Sequence, residues 1–468
     1  MGKDKLKFNN TSSQDQKKYY QVIPEKINLA LPEIESLIKP AVSGYSTNKL
    51  KEVISIVACH VRKDEASTPL SIEYIRKLVP KGEKYLLSLI DLGIIQRSGQ
   101  YVPGECCYQY NFAPEYNSRF LSFPLIDPKL IRRIRGTWDL IRKESAKQIR
   151  SHSDQVIYLK QLTIADEYYS FLKSEYKTDT NQFNSIVGSA TRIINGDIFY
   201  SIDNTSGRFH SNVTNICKGL RQFLRIKNEP LVNIDIKNSQ PYLSTIILTY
   251  PAKVADMAKN TAFALLLKTL QVSVNKEDVK KYILLVNSGQ LYEYLMQEFT
   301  VEGLELTRDE TKIQVLRILF ARNRLPADPV NRYCRLIFKD RFPTVHRIFS
   351  KVRGSAKGDK FTNFKRFAVL MQTIESYLML DIILKRIYKE LPGTIAITIH
   401  DSIMTGILTN RVEEVKKIMF DELQYFVGLA PKLTVESGRI TENKLTFEKN
   451  FRRAISIEKI RPNFNFKN

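Results

Sequence analysis

Leu231-Val-Asn-Ile-Asp-Ile236 reads as a β-strand that carries an acid. Its alternation sends Val232, Ile234 and Ile236 to one side and Asn233 and Asp235 to the other. A carboxylate on a buried strand costs free energy unless it is paired or metal-bound. Taken alone, an acid such as Asp235 is more often a salt-bridged structural residue than a reactive one. A second stretch, Thr394-Ile-Ala-Ile-Thr-Ile-His-Asp-Ser-Ile-Met-Thr405, reads as two apolar strand arms bent at His400-Asp401-Ser402. The bend pushes the Asp401 carboxylate to a hairpin tip, where it can face a neighbouring strand. Two carboxylates brought together repel unless protons or metal stand between them. Bound Mg²⁺ relieves the repulsion and suits the site to in-line phosphoryl displacement.

Between the two acids lies Thr307-Arg-Asp-Glu-Thr-Lys-Ile-Gln-Val-Leu-Arg-Ile-Leu-Phe320. Thr307 and Glu310 have capping-box spacing, so a helix starts here. Arg308, Lys312, Leu316 and Phe320 recur every fourth residue, a slowly drifting stripe about 18 Å long. Two cations near a helix N-terminus oppose the macrodipole, which calls for an anion there. A triphosphate suits, with Arg308 and Lys312 on the phosphates and Phe320 reaching the base. An ordinary amphipathic helix with exposed basic residues accounts for the same pattern.

A chain of 468 residues is too long for one ordinary core, so two or three domains are expected. Its 72 Lys and Arg against 49 Asp and Glu leave a formal charge of +23. Such an excess points to a polyanionic partner, nucleic acid ahead of an anionic membrane surface. No apolar run is read as approaching the ~20 residues that span a bilayer, so no membrane association is expected. Met1-Gly-Lys-Asp-Lys-Leu6 leads into polar sequence rather than an apolar signal core, and Leu6 stands where a myristoylation start wants Ser or Thr. The five cysteines, Cys59, Cys106, Cys107, Cys217 and Cys334, are scattered and odd in number. They argue against a disulfide framework and fit a reducing cytoplasm. The Cys106–Cys107 pair reads as strand packing rather than metal binding.

Residues 1–20 are read as a flexible N-terminus. Within 21–122, Tyr45-Ser-Thr-Asn-Lys49 opens a helix with Val53, Ile56 and Val57 on one face. A short helix with Ile72, Ile75 and Leu78 follows, then a third with Tyr85, Leu86, Leu89 and Ile90, ending at Gly93. Ile94–Val102 and Cys107–Phe112 read as a hairpin. Three helices plus a hairpin resemble the winged-helix family, which implies nucleic-acid contact through Lys81, Lys84 and Ser88 of the third helix. A protein-contact domain of the same shape stays open. Residues 123–200 look mainly helical and basic, and 201–468 hold the acids. The segment 321–366 is also strongly basic (Lys339, Arg341, Arg347, Lys351, Arg353, Lys357, Lys360, Lys365, Arg366) and is expected to track a nucleic-acid backbone.

The ordered pattern over roughly residues 200–410 resembles the superfamily of family A DNA polymerases and single-subunit, phage-type RNA polymerases. Thr205-Ser-Gly-Arg208 is similar to its T-x-G-R element, Asp235 to motif A, and Arg308, Lys312 and Phe320 to motif B. Gln372 in Leu370-Met-Gln-Thr-Ile-Glu-Ser376 stands where family A has a glutamine helix, and His400-Asp401-Ser402 matches motif C. The resemblance implies an α/β right-hand fold: a small antiparallel palm sheet, helical fingers containing 307–324, a thumb-like region at 123–200, and a preceding winged helix. It implies that the helix at 411–426 packs back on the palm. The segment 430–468, with Lys432-Leu-Thr-Val435 and Lys444-Leu-Thr-Phe447, would add strands at the sheet edge.

It implies two Mg²⁺ ions held by Asp235, Asp401 and the Ile236 backbone carbonyl. Lys312 would bind the triphosphate and protonate the leaving group, Arg308 clamp phosphates, Phe320 stack near the base and Gln240 face the sugar. Arg208, Gln372 and His400 would lie along the primer–template. The motifs depart from the family: Asp235-Ile-Lys-Asn-Ser-Gln-Pro-Tyr242 puts Gln240 where DNA polymerases have Glu and RNA polymerases Gly, and Phe320 replaces the usual Tyr. Thr307-Arg-Asp-Glu-Thr-Lys312 and His400-Asp401-Ser402 lean towards RNA synthesis; the T-x-G-R element and Gln240 lean towards DNA, which is the reading preferred. No ordered carboxylate set for a 3′–5′ exonuclease is seen, so proofreading is expected absent. A phage or mobile-element setting follows by analogy only. Three other functions stay open: a single-subunit RNA polymerase or primase-like enzyme, a non-catalytic DNA-binding replication initiator, and a metal-dependent nuclease.

Overall fold

The computed structural model describes residues 18–61, 67–102, 106–148, 153–178, 180–272, 274–354, 365–407 and 411–436. It is a mixed α/β protein, mostly helical, with several small antiparallel sheets. The chain forms two compact units. The first takes the chain up to Lys147, then Leu162–Phe199 and Asn215–Phe223; the second takes Gln148–Gln161, Tyr200–Thr214 and everything from Leu224 onward.

In the first unit, the helix Thr47–Cys59 is the hub. Leu50, Val53, Ile54, Val57 and Ala58 are buried, because apolar residues cover most of its surface rather than one stripe. The strands Tyr20–Pro24 and Phe120–Pro124 pair antiparallel. The helix Asn181–Asn195 comes so near the hub that a Cβ on Gly188 would lie 2.9 Å from the Cys59 Cα, so only glycine fits. Residues 181–195, part of the stretch read as thumb-like, thus pack within this unit. The helices Ile72–Leu78 and Gly82–Asp91 and the strands Ile95–Ser98 and Gln109–Phe112 follow in the expected order. A short strand not foreseen, Thr68–Pro69, pairs with the other side of Gln109–Phe112 and completes a three-stranded sheet.

In the second unit, the strand Glu229–Ile236 is central. Ser402–Gly406 pairs antiparallel on one side, with Ala396–Ile399 beyond it; Leu433–Glu436 pairs on the other. The strand Leu224–Ile226 turns into Glu229 through Lys227 and Asn228, both at positive φ (54° and 63°), the backbone of a tight two-residue hairpin turn. The helix Val412–Val427 buries Val415, Ile418, Met419 and Leu423, and it packs against the helical segment Tyr377–Ile383 as well as the strand Ser402–Gly406. Leu433–Glu436 therefore adds a strand, whereas Lys444-Leu-Thr-Phe447 lies outside the described residues. A separate helical cluster, from Glu277–Ser288 to Pro343–Arg353, closes around Tyr282, Phe338, Phe342 and Phe349, whose rings meet edge-on or tilted.

One expectation needs correcting. The continuous helical run Lys365–Glu390 is long and apolar enough, by length and composition alone, to cross a bilayer. Gln372, Glu375 and Asp381 punctuate it, and most of it is buried inside the protein as a core helix.

Candidate active site

The strand register brings the two acids together. Asp235 stands opposite Ser402 in the ladder, so Asp401 is the residue next to its direct partner. Asp401 occupies the two-residue tip His400-Asp401, closed by the pair Ile399↔Ser402. His400 adopts φ 53° there, a left-handed conformation that histidine tolerates better than β-branched residues. Both Asp235 and Asp401 are half-buried. Burial pushes the Asp401 carboxyl above its ordinary range, while the nearby Ser239 hydroxyl and the Lys312 and Arg208 cations work against the rise. After Asp235 the chain turns sharply at Asn238 (φ 58°) into the helix Ser239–Thr249, which starts beside Asp401.

A further carboxylate, one that motif reasoning missed, lies within the electrostatic reach of Asp401. Glu375, only 2% exposed, accepts from Arg208 (Nε 2.9 Å, Nη2 2.7 Å) and from the Gln240 side-chain amide (2.6 Å). Burial first, and then the negative field of Asp401, push its pKa up to about 8; Arg208 and Gln240 pull it back. Arg208 sits at the end of a loop built on Asp203, whose carboxylate accepts the backbone N–H groups of Thr205 (2.8 Å), Ser206 (2.7 Å) and Arg208 (2.9 Å). Such self-bonding by Asp shapes a tight turn. The His210 and His400 rings lie 5.7 Å apart, edge to face.

The basic helix Arg308–Phe320 has the expected capping box: Thr307 Oγ1 accepts from the Glu310 N–H (3.3 Å), and the Thr307 N–H donates to Glu310 Oε2 (2.8 Å). Thr311, Gln314, Val315, Ile318 and Leu319 are its buried face, so Arg308, Lys312, Leu316 and Phe320 lie on the more open one. The anion called for near its start is found within the chain. Arg308 donates to Glu293 Oε1 at 2.7 Å and lies 5.5 Å from the Tyr292 ring, so that cation is already compensated. Lys312 is exposed and in the field of Asp401. Phe320 packs against Phe367 (5.6 Å between centroids) while staying half-exposed.

The remaining sequence candidates fall as follows. Gln372 is half-buried one turn before Glu375, and its backbone carbonyl accepts from the Ser376 hydroxyl (2.8 Å). Ile236 is buried and paired with Leu433 at the end of the central strand. Lys81 and Lys84 are exposed in the first unit; Lys81 is the N-cap of Gly82–Asp91 at φ 61°, and its ammonium donates to the Ser43 carbonyl (2.5 Å).

The basic segment 321–366 is not uniformly a backbone track. Arg353 is fully buried, with a pKa pushed down to about 9 by that burial. Its guanidinium donates to the Ile318 and Leu319 carbonyls, Asn323 and Ser350, tying off the end of the basic helix. Arg341 is taken by Glu298 (2.6 Å) and Glu302 (3.0 Å). Lys357 and Lys360 lie outside the described residues.

Among the described residues no cluster of three or more His, Cys, Asp or Glu side chains is arranged as a metal cage. Asp235 on its strand and Asp401 at the adjacent hairpin tip offer an oxygen-only set of donors. Mg²⁺ keeps several waters and needs only one or two carboxylates, so this set fits it.

No protein-family model matches this chain, and no curated protein does. Among solved structures, the polymerase domain of Pol1 from M. smegmatis, in complex with a DNA primer-template and dNTP, aligns at 11% identity with a TM-score of 0.28. The alignment covers 89% of this chain, which spans 66% of that one. A likeness of that degree fixes no detail of fold or chemistry.

Proposed function

We propose that the second unit is the catalytic body of a template-dependent nucleotidyltransferase, a DNA polymerase that extends a 3′-hydroxyl with nucleoside triphosphates. One observation supports the reading: Asp401 sits at the tip of the hairpin whose Ser402 pairs with Asp235, in the field of an exposed lysine of a capped helix. In this account Asp235, Asp401 and the Ile236 carbonyl hold two Mg²⁺ ions, which when bound supply activation of the 3′-hydroxyl and charge neutralisation at the leaving group. Lys312 binds the triphosphate and passes a proton to the departing pyrophosphate. Arg308, held in place by Glu293, completes the phosphate end. Gln240 stands at the sugar and Phe320 at the base, while Arg208, Gln372 and His400 line the primer–template side. Lys81 and Lys84, on the winged-helix-like first unit, take duplex phosphates. The work is placed in a reducing cytoplasm, where the five free thiols would persist.

A second reading, ribonucleotide polymerisation, is favoured by Thr307-Arg-Asp-Glu-Thr-Lys312 and His400-Asp401-Ser402. Primer extension on a defined DNA template, with deoxy- and ribonucleotides side by side, separates the two. Template-directed addition of deoxynucleotides is expected. Preferential ribonucleotide addition would move the assignment to an RNA polymerase. Binding with no addition of either would leave a replication initiator, and cleavage without addition a nuclease.

A further inference from the structure

Gln240, Glu375 and Arg208 form a closed chain of hydrogen bonds beside the acidic pair. Glu375 uses one oxygen for Arg208 and the other for Gln240. The Gln240 amide nitrogen donates to Glu375 Oε2, and this bond holds the side chain in one orientation. The three residues come from three separate segments: the loop before the strand Phe209–Ser211, the first turn of Ser239–Thr249, and the helix Lys365–Ser376. Glu375 is almost fully buried, so the bond to Gln240 is shielded from competing water. Asp401 lies within electrostatic reach of Glu375, so the chain of bonds borders the hairpin tip that carries this acid.

We infer that Glu375 is a positioning residue for sugar selection: it locks Gln240 into a rigid wall beside the nucleotide's sugar. The inference rests on the polymerase reading of the second unit. Discrimination by exclusion works only if the excluding group cannot swing away at low cost. With both its own bond to Glu375 and the Glu375–Arg208 pair in place, Gln240 resists displacement. Without Glu375 it becomes a mobile side chain that a 2′-hydroxyl can push aside.

The test compares kcat/KM for deoxy- and ribonucleotides in wild type, Gln240→Ala, Glu375→Ala and the double variant. Glu375→Ala should shift the ratio towards ribonucleotides by about tenfold, the size of losing one well-placed polar contact. The double variant should shift it no further than Gln240→Ala does, because both changes remove the same wall. Glu375→Gln keeps the volume and can still accept from Gln240, but then turns an amide N–H₂ towards Arg208. It should give a smaller shift in the same direction, and it serves if Glu375→Ala does not fold. Folded Glu375 variants with the wild-type ratio, or shifts that simply add to that of Gln240→Ala, overturn the inference alone. A wild-type protein that adds neither nucleotide overturns the polymerase reading and this inference with it.

Discussion

In the proposed polymerase, Lys312 is the residue on which the phosphate chemistry turns. Its helical neighbour Arg308 is neutralised by Glu293, whereas Lys312 is exposed and close enough to Asp401 to affect its titration. Lys312→Ala is expected to lower nucleotide incorporation about 10²–10³-fold, the usual effect of deleting one electrostatic contact to developing charge. Primer–template affinity, read by fluorescence anisotropy, should stay within about twofold, since Lys312 is assigned to the triphosphate and backbone contacts elsewhere dominate such binding. Incorporation at the wild-type rate would remove Lys312 from the chemistry. Asp235 and Asp401 were legible in the sequence because a period-two pattern states which side of a strand an acid occupies, and a hairpin bend states where its tip falls. Glu375 was not. It lies inside an apolar helical run, and nothing in its local spacing reveals that Arg208 and Gln240 converge on it from distant segments. Arg353 was misread for the same reason: a basic residue in a basic stretch looks solvated, yet here it caps helix carbonyls from inside the core.

Elements defined by local bonds were the easiest to read. The capping box at Thr307 and Glu310 involves residues three apart, so its start signal needs no knowledge of the rest of the fold. Removing the hydroxyl by Thr307→Ala should cost about 1 kcal/mol and lower the thermal midpoint of unfolding by ~2–4 °C. An unchanged midpoint would mean that tertiary packing alone fixes the start of the helix, with the cap contributing nothing. The Ala396–Gly406 hairpin was equally plain, because two apolar arms around a polar bend define it. The helix Lys365–Glu390 shows the opposite case. Its composition alone suits a bilayer and a protein core equally, and in the folded second unit most of it is buried. The short strand Thr68–Pro69 escaped notice because two residues carry no measurable periodicity.

At the scale of the whole molecule, neither compact unit is one continuous piece of chain. Residues 148–161 and 200–214 leave the first unit's span to join the second, and 215–223 return. Composition and linkers could suggest boundaries near 122 and 200, but they report local character, whereas unit membership is set by long-range contacts. The charge excess of +23 is the most global signal, and it points only to a polyanionic class of partner. On the proposed function, Asp235 and Asp401 act as one catalytic pair. The most direct test of this pairing is single-turnover primer extension by Asp235→Asn and Asp401→Asn, with primer–template binding measured on the same preparations. Each variant should lose at least about 10³-fold in incorporation, with binding retained and the double variant little worse than either single change. Extension that persists at near wild-type rate in either variant would contradict it.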